Sequence, residues 1–553
     1  MKRFSALLEQ LAFEPARIGK LRLLQDYLRN APDPDRGYAL AAITGELKFT
    51  HAKAGLIRKL IAERTDEVLF VLSYDFVGDL SETAALLWPE PDEPHEEADT
   101  LPLSAVIDTL THTDKAALPG VLAGLLDRLD ESGRWALLKL ITGGLRIGVS
   151  ARLARTAIAA NAADHHTCDV NDVEDMWPSL EPPYTELLAW MDGKGSRPAH
   201  KSALVFRPAM LAHALEEKDL ETLDPAHFAA EWKWDGIRIQ AGMADGSTRL
   251  YSRTGENIGE AFPDLAEALA ASDAGDFVID GELLIVRDGR VESFATLQQR
   301  LNRKKVTPKL VAEFPAHIIA YDLLARDGYN LRSLDFGERR AQLETFVREA
   351  RLPQLTLSPQ IDFADWEKLT AARAYPLAYG AGDNAPAVEG VMLKRLDAPY
   401  VPGRPKGLWY KWKRDPFLID AVLMYAQRGH GKRSSLYSDF TFGVWKGESL
   451  VPVGKAYFGF TDAELKRIDK FVRDNTLNRF GPVREVATGP EEGLVLEIAF
   501  DGLNRSPRHK SGLAMRFPRI SRLRWDKPAR EADRIEALEA LLGEQTDIPK
   551  ERS

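Results

Sequence analysis

The chain opens on a helical rhythm. Phe4, Leu7, Leu8 and Leu11 recur at the three-and-four spacing of one helix face, and Leu21, Leu24 and Leu28 repeat it. Phe70 to Leu87 carries the same signature, and helical patterns flank the run Thr142-Gly143-Gly144-Leu145-Arg146-Ile147-Gly148-Val149-Ser150. Three glycines and an arginine there predict a tight turn with exposed N–H groups that can hold a phosphate; a plain helix C-cap is the simpler reading. Past about residue 190 the rhythm changes. Residues 192–202 are polar and rich in Gly, Ser and Pro, the composition of a linker. Period-two alternation follows: Ile237 and Ile239, a turn at Asp245-Gly246, then Leu250 to Ser252. Phe277 to Val286 reads as a strand ending at Asp288-Gly289, and residues 338–350 and 364–374 read as helices. From Phe417 the pattern is short strands: Leu418 to Tyr425, Phe440 to Trp445, Val451 to Phe460 and Leu494 to Phe500, with a helix from about Asp462 to Asp474. About five strands and one helix predict a small barrel such as an OB-fold.

These shifts predict a helical unit over 1–192, a linker over 193–205, a mixed α/β domain over 206–415 and a β-barrel domain over 416–553. A length of 553 residues exceeds what one hydrophobic core supports. The single cysteine, Cys168, excludes a disulfide framework and a cysteine-built zinc cluster. His165-His166 nearby reads as a polar loop rather than a metal site. No signal peptide and no stretch approaching the roughly 18 apolar residues of a membrane span is evident, so a cytoplasmic protein is expected.

The formal net charge of −10 argues against a polyanion partner until its distribution is considered. Residues 89–99 carry six acids and no Lys or Arg, whereas 505–530 carry nine Lys or Arg against Asp526 alone. The first is a solvated loop; the second is a solvated face or a polyanion surface.

Candidate chemistry centres on Glu231-Trp232-Lys233-Trp234-Asp235-Gly236-Ile237-Arg238. Alone, a lysine beside an aspartate reads as a salt bridge. Later segments supply what a nucleophilic lysine on a nucleotide phosphate needs. Arg253 ends a strand before Gly255; Asp280-Gly281-Glu282 puts a carboxylate at the end of an apolar run; Tyr321 offers a ring. Glu389-Gly390-Val391-Met392-Leu393-Lys394 repeats the carboxylate–glycine pattern, and Trp409-Tyr410-Lys411-Trp412-Lys413 sets two lysines on one strand face. An unperturbed lysine is neutral only about once in 10³ to 10⁴ at pH 7, so such a role needs a surrounding of cations or burial.

In this order the segments resemble the motif series of the covalent nucleotidyltransferases, and most closely the ATP-dependent DNA ligases of the three-domain kind. The resemblance extends through Gly143 to Ser150, Phe294 to Arg300, Lys455 to Phe460, and Ser511 to Ile520 followed by Arg524-Trp525-Asp526-Lys527. It implies a helical DNA-binding domain, a mixed α/β adenylation domain and an OB-fold barrel. It implies that Lys233 attacks ATP to form lysyl-AMP, that AMP passes to a 5′-phosphate at a nick, and that the 3′-OH then displaces it.

By the same resemblance Glu231 reads adenine and Tyr321, where the family commonly has Phe, stacks on it. Arg238, Arg253 and Glu282 hold ribose and phosphate, and Lys411 and Lys413 neutralise the α-phosphate. Glu389, with Glu282 or Asp235, binds Mg²⁺, with Mn²⁺ an alternative. The family has an arginine four residues before the tryptophan of the lysine pair. Pro405 stands there, so Arg404 is favoured over Lys406 for that contact. Arg524, Asp526 and Lys527 orient pyrophosphate. Gly144, Arg146 and Gly148, with Arg505, Arg508, Arg516 and Arg519, meet nicked duplex DNA through its backbone. A monomer without an evident clamp partner is expected. The rivals are an RNA ligase or other covalent nucleotidyltransferase, and a nick-binding protein without catalysis. An NAD-dependent ligase would need a four-cysteine zinc site.

Overall fold

A computed structural model describes residues 1–90, 101–199, 204–301, 303, 306–428, 436–506 and 510–546. Most of the acidic run, residues 200–203 of the linker and Arg508 therefore lie outside the described residues. Among those described, no helix is long and apolar enough to cross a membrane.

The first unit is all helix, built on one hydrophobic cluster running from Met1 to Met191. Helix Lys2–Phe13 buries Phe4, Leu7, Leu8 and Leu11, the stripe its spacing dictates. Helix Glu131–Thr142 starts at Asp130, whose carboxylate accepts from the Gly133 N–H, and stops at Gly143, whose φ of 72° only glycine adopts without cost. The next helix, Ala151–Ala162, is capped by Ser150. Residues 143–150 are thus pinned between two strong helix ends. Arg332 bridges this unit to the next, donating to Asp175 at 2.6 and 3.1 Å.

The second unit stacks two sheets. One orders strands His213–Ala214, Trp409–Lys413, Val388–Arg395, Phe228–Trp234 and Gln360–Ile361. The other runs Ser247–Ser252, Ile237–Ala244, Phe277–Arg287, Ala316–Arg326 and Tyr329–Asn330, flanked by Arg290–Val291 and Leu355–Leu357. Trp232, Val391 and Leu393 of the first sheet share a core with Leu284 and Ile319 of the second. The chain crosses between sheets at Asp235-Gly236. A Cβ on Gly236 would lie 2.6 Å from the Leu284 side chain and 2.7 Å from the Leu283 carbonyl, so this crossover requires glycine. Helices Pro263–Ala270 and Phe336–Ala350 cover the outer face through Leu265, Leu269, Leu343 and Phe346.

The third unit is a barrel. Strand Arg519–Arg524 pairs with Val495–Phe500, which pairs with Phe417–Arg428, then Tyr437–Lys446, then Ser449–Ala456. The Ile520 N–H donates to the Phe458 carbonyl at 3.1 Å and joins the two ends of this path. The last of these strands stops at Ala456 rather than running to Phe460, because Gly459 turns at φ 98° against Ile520. Helix Asp462–Asp474 carries a Thr461/Glu464 capping box and buries Leu465, Ile468 and Val472. Hairpins Thr476–Phe480 with Val483–Val486, and Gly502–Arg505 with Leu513–Arg516, exceed the five strands expected.

Candidate active site

Lys233 sits on the strand flanked by Val388–Arg395, itself flanked by Trp409–Lys413. The register sets Lys233 opposite Gly390, and Gly390 opposite Lys413. Pairing slips between Val388 and Gly390, a bulge that re-aims Glu389. Gly390 has φ 149°, and a Cβ there would fall 2.3 Å from the Trp412 carbonyl. The result is a compact charge cluster: Lys233 Nζ donates to Glu389 Oε1, and Lys413 Nζ lies 3.2 Å from Glu389 Oε2. Burial alone would raise the Glu389 carboxyl, but Lys233 and Lys413 outweigh it and hold it below the usual range. Glu282 has the opposite fate. Burial pushes it up to about 8; Lys233 and Arg238 pull it down, but Glu389 and Asp280 repel its charge.

One side of the cluster is cationic without compensation. Lys411, Arg253 and Arg404 make no ion pair among the described residues, and both arginines lie close enough to act on Lys411. The Lys411 ammonium is lowered first by burial, then by the charges of Arg404, Lys233, Lys413 and Arg253. Arg404 thus belongs to this cluster. An unbalanced group of cations beside a lysine–carboxylate pair can attract a polyanion.

Two residues before Lys233 on the same strand, Glu231 is buried, accepting from Arg340 at 3.0 Å and from Lys394 at 2.9 Å. Lys394 also donates to the Tyr321 carbonyl at 3.1 Å, with its ammonium 4.4 Å from the centre of the Tyr321 ring. Tyr321 OH donates to Asp280 at 3.2 Å. Arg238 departs from expectation. It donates to both oxygens of the fully buried Asp280, at 2.9 and 2.6 Å, and to the Met210 carbonyl at 2.6 Å. With most of its donors engaged, it braces the floor of the site rather than offering a free hand to ribose or phosphate.

The barrel closes over this face. Arg516 grips Asp235 with both guanidinium nitrogens, one of them 2.7 Å from Oδ1, and lies over Phe294 at 4.9 Å. Asp501 accepts from Lys413 at 3.0 Å and from Arg519 at 2.9 Å. Asp235 is therefore occupied by a cation of the barrel. Among the described residues no three of His, Cys, Asp and Glu converge to hold a metal ion. Of the carboxylates expected there, Asp235 and Glu389 each hold a protein cation, while Glu282 lies close enough to Glu389 to be repelled by its charge. The final motif is elsewhere too. Arg524 and Lys527 pair with Asp420 of the barrel's own strand, at 3.1 and 2.7 Å, and exposed Asp526 is held down to about 2 by its hydrogen bond from Arg524. Expected beside the pyrophosphate of ATP, these residues are instead tied to the barrel wall in this arrangement.

In the helical unit, Gly143, Arg146 and Gly148 have φ of 72°, 51° and 66°. Arg146 is largely exposed and 3.8 Å from Asp79, which is pinned by Lys139 at 2.5 Å. Gly144 is exposed, its carbonyl accepting from Lys139 at 3.3 Å. Lys20 donates to the Ile147 carbonyl beneath. Arg505 is exposed on its hairpin. Arg340, Asp501 and Tyr400, whose hydroxyl donates to Asp280 at 2.6 Å and accepts from Arg238 at 3.1 Å, were not anticipated: the first is one of two adjacent arginines in a helix, and nothing in the local pattern marks the others.

A probable DNA ligase of Koribacter versatilis is 30% identical to this chain over 99% of it and 97% of the relative. The chain belongs to the ATP-dependent DNA ligases. Residues 209–413 of the ligase match the ATP dependent DNA ligase domain and 433–527 the ATP dependent DNA ligase C terminal region. DNA ligase 1 of Korarchaeum cryptofilum is 28% identical over 99% of the chain and 98% of the relative. A probable DNA ligase of Streptomyces griseus is 32% identical over 90% and 97%. The fold is shared with a solved structure named Pmar-Lig_PreS3, at TM-score 0.59 and 14% identity over 94% of this chain and 99% of that one.

Proposed function

We propose that this ATP-dependent DNA ligase seals nicks in duplex DNA through a lysyl-AMP on Lys233. The observation that carries the reading is the uncompensated cluster of Lys411, Arg404 and Arg253 beside the Lys233–Glu389 pair. Three units would share the work: 1–192 grips the duplex, 206–415 binds ATP, and 416–553 closes over the nick.

In the first step the Lys233 amine attacks the α-phosphorus of ATP in line with the leaving pyrophosphate. A P–N bond forms as the P–O bond to the β-phosphate breaks. Lys411, Lys413, Arg253 and Arg404 neutralise charge on the phosphates, which supplies most of the acceleration in such transfers. Before attack the Lys233 ammonium must leave its pair with Glu389 and give up its proton to water, so that the neutral amine is the nucleophile; Lys413 remains to hold Glu389. The AMP then moves from Lys233 to the 5′-phosphate at the nick, and the 3′-OH displaces it. Glu231 reads the adenine and Tyr321 stacks on it.

Mg²⁺ fits this site. Glu282 is pushed up to about 8, first by burial and then by the charges of Glu389 and Asp280, against the pull of Lys233 and Arg238, and Glu282 with Glu389 presents the oxygen donors that a hard divalent ion prefers. Such an ion supplies further neutralisation of phosphate charge. Asp235 could join only after release from Arg516. Arg524, Asp526 and Lys527 would reach the pyrophosphate after the barrel turns. Arg146 and the amides of 143–150 would hold DNA phosphates.

The test is label transfer. Purified protein with Mg²⁺ and α-labelled ATP, GTP or NAD should take label from ATP alone, and then seal nicked DNA in preference to nicked RNA. Label retained by Lys233→Ala would remove the lysine from this role.

A further inference from the structure

We propose that Arg340 is a positioning residue that sets the nucleobase selectivity of adenylylation by fixing the Glu231 carboxylate as an acceptor facing the base. The proposal deepens the reading of Glu231 as the adenine contact and rests on it.

Arg340 lies on helix Phe336–Ala350, outside every motif quoted above. Its guanidinium is held at three points: it donates to Glu231 Oε1 at 3.0 Å, to the Ser358 carbonyl at 2.8 Å and to Glu344 at 2.9 Å. The helix is itself rigidly seated. Leu343 and Phe346 are core residues, and neighbouring Arg339 pairs with Asp322 at 2.8 and 3.0 Å, both fully buried. On its other oxygen Glu231 accepts from Lys394 at 2.9 Å. Side-chain exposure is 7% for Arg340, 2% for Glu231 and 2% for Lys394, so water does not compete for this carboxylate.

The chemistry follows from the partners. Arginine and lysine only donate, so both Glu231 oxygens are met from the protein side by donors, and the remaining lone pairs of each oxygen are acceptors. Glu231 and Lys233 are two apart on one strand and share its face, towards the attacking amine. A purine placed there with its α-phosphate at Lys233 must present a donor to Glu231. The 6-amino group of adenine does so; the 6-oxo group of guanine is a second acceptor and is repelled. Arg340 contributes the fixed direction. Without it the carboxylate is held by Lys394 alone and can turn away from the base. Sites built around a buried polar contact discriminate strongly because the wrong ligand leaves that group unpaired.

The test compares kcat/KM for lysyl-nucleotide formation with ATP and with purine riboside triphosphate, which lacks the 6-amino group, and with GTP. The ratio between substrates does not depend on how much enzyme is folded. Wild-type enzyme should prefer ATP over the purine analogue by about tenfold or more, the loss expected for one hydrogen bond to a charged acceptor. Arg340→Met should bring that ratio towards one through a raised KM for ATP, and should admit GTP. Arg340→Lys, which restores a donor, should recover part of the preference. Equal losses with ATP and the purine analogue in both variants, leaving the ratio unchanged, would overturn the proposal and leave Arg340 a packing residue. A wild-type enzyme indifferent to the 6-amino group would instead overturn the reading of Glu231, and this proposal with it.

Discussion

The contact between Arg516 and Asp235 joins the barrel to the loop two residues after Lys233, so its removal should loosen closure measurably. Arg516→Ala deletes a two-pronged charged contact whose side chains are 28% and 20% exposed. A charged hydrogen bond contributes about 1.5–3 kcal/mol when sheltered, and an exposed ion pair about 0–1. This pair lies between those limits, so about 1–2 kcal/mol is expected, or about five- to thirtyfold in the ratio of closed to open molecules. Closure should survive in part, because Asp501 still bridges Lys413 and Arg519. The assay is energy transfer between dyes on the barrel and on the adenylation domain, measured for Arg516→Ala, Asp235→Asn and the pair together. The double variant should open no further than either single one. Effects that simply add, or energy transfer unchanged in all three, would refute the latch.

Other expectations are more local. Arg404→Ala and Lys411→Ala should each raise KM for ATP by about tenfold in label transfer, whereas Lys406→Ala should not; an equal effect at Lys406 would reassign the contact. Lys527→Ala should abolish labelling from ATP while sparing the sealing of a pre-adenylylated nick; equal loss of both steps would mean these residues do not serve pyrophosphate. Glu282 titrates at about 8 in the folded chain against 4.5 ordinarily. Between those values the folded state keeps a proton that the unfolded state has lost. The contribution of Glu282 to stability is therefore fully present below about 4.5 and is lost as pH rises through about 8. Thermal melts should show that decline in the wild type and less of it in Glu282→Gln; parallel curves would contradict the burial of Glu282.

Much of this was legible in the chain because local rules govern it. The stripe Phe4, Leu7, Leu8, Leu11 and the helix Asp462–Asp474 needed only helical periodicity and a cap. The charge cluster about Lys233 was visible as spaced segments because strand alternation puts Lys411 and Lys413 on one face. What sequence could not convey is who pairs with whom across distance. Arg238 looked like a ligand contact, yet strand register sets it beside buried Asp280. Asp235 looked free for metal, yet Arg516 reaches it across 281 positions. Arg524 and Lys527 carried the right pattern, but the barrel is seated with Arg516 on Asp235 and Asp501 on Lys413, while Arg524 and Lys527 pair with Asp420. The anchoring of Glu231 by Arg340 rests on a helix laid over the sheet, a packing that no periodicity encodes.

Peptide mapping by mass spectrometry of enzyme incubated with ATP and Mg²⁺ tests the central assignment most directly. The adenylyl group should be found on the peptide containing Lys233 and on that side chain, and should leave when nicked DNA is added. An adduct on Lys411, Lys413 or any other residue, or a Lys233 adduct that nicked DNA does not discharge, would contradict the account.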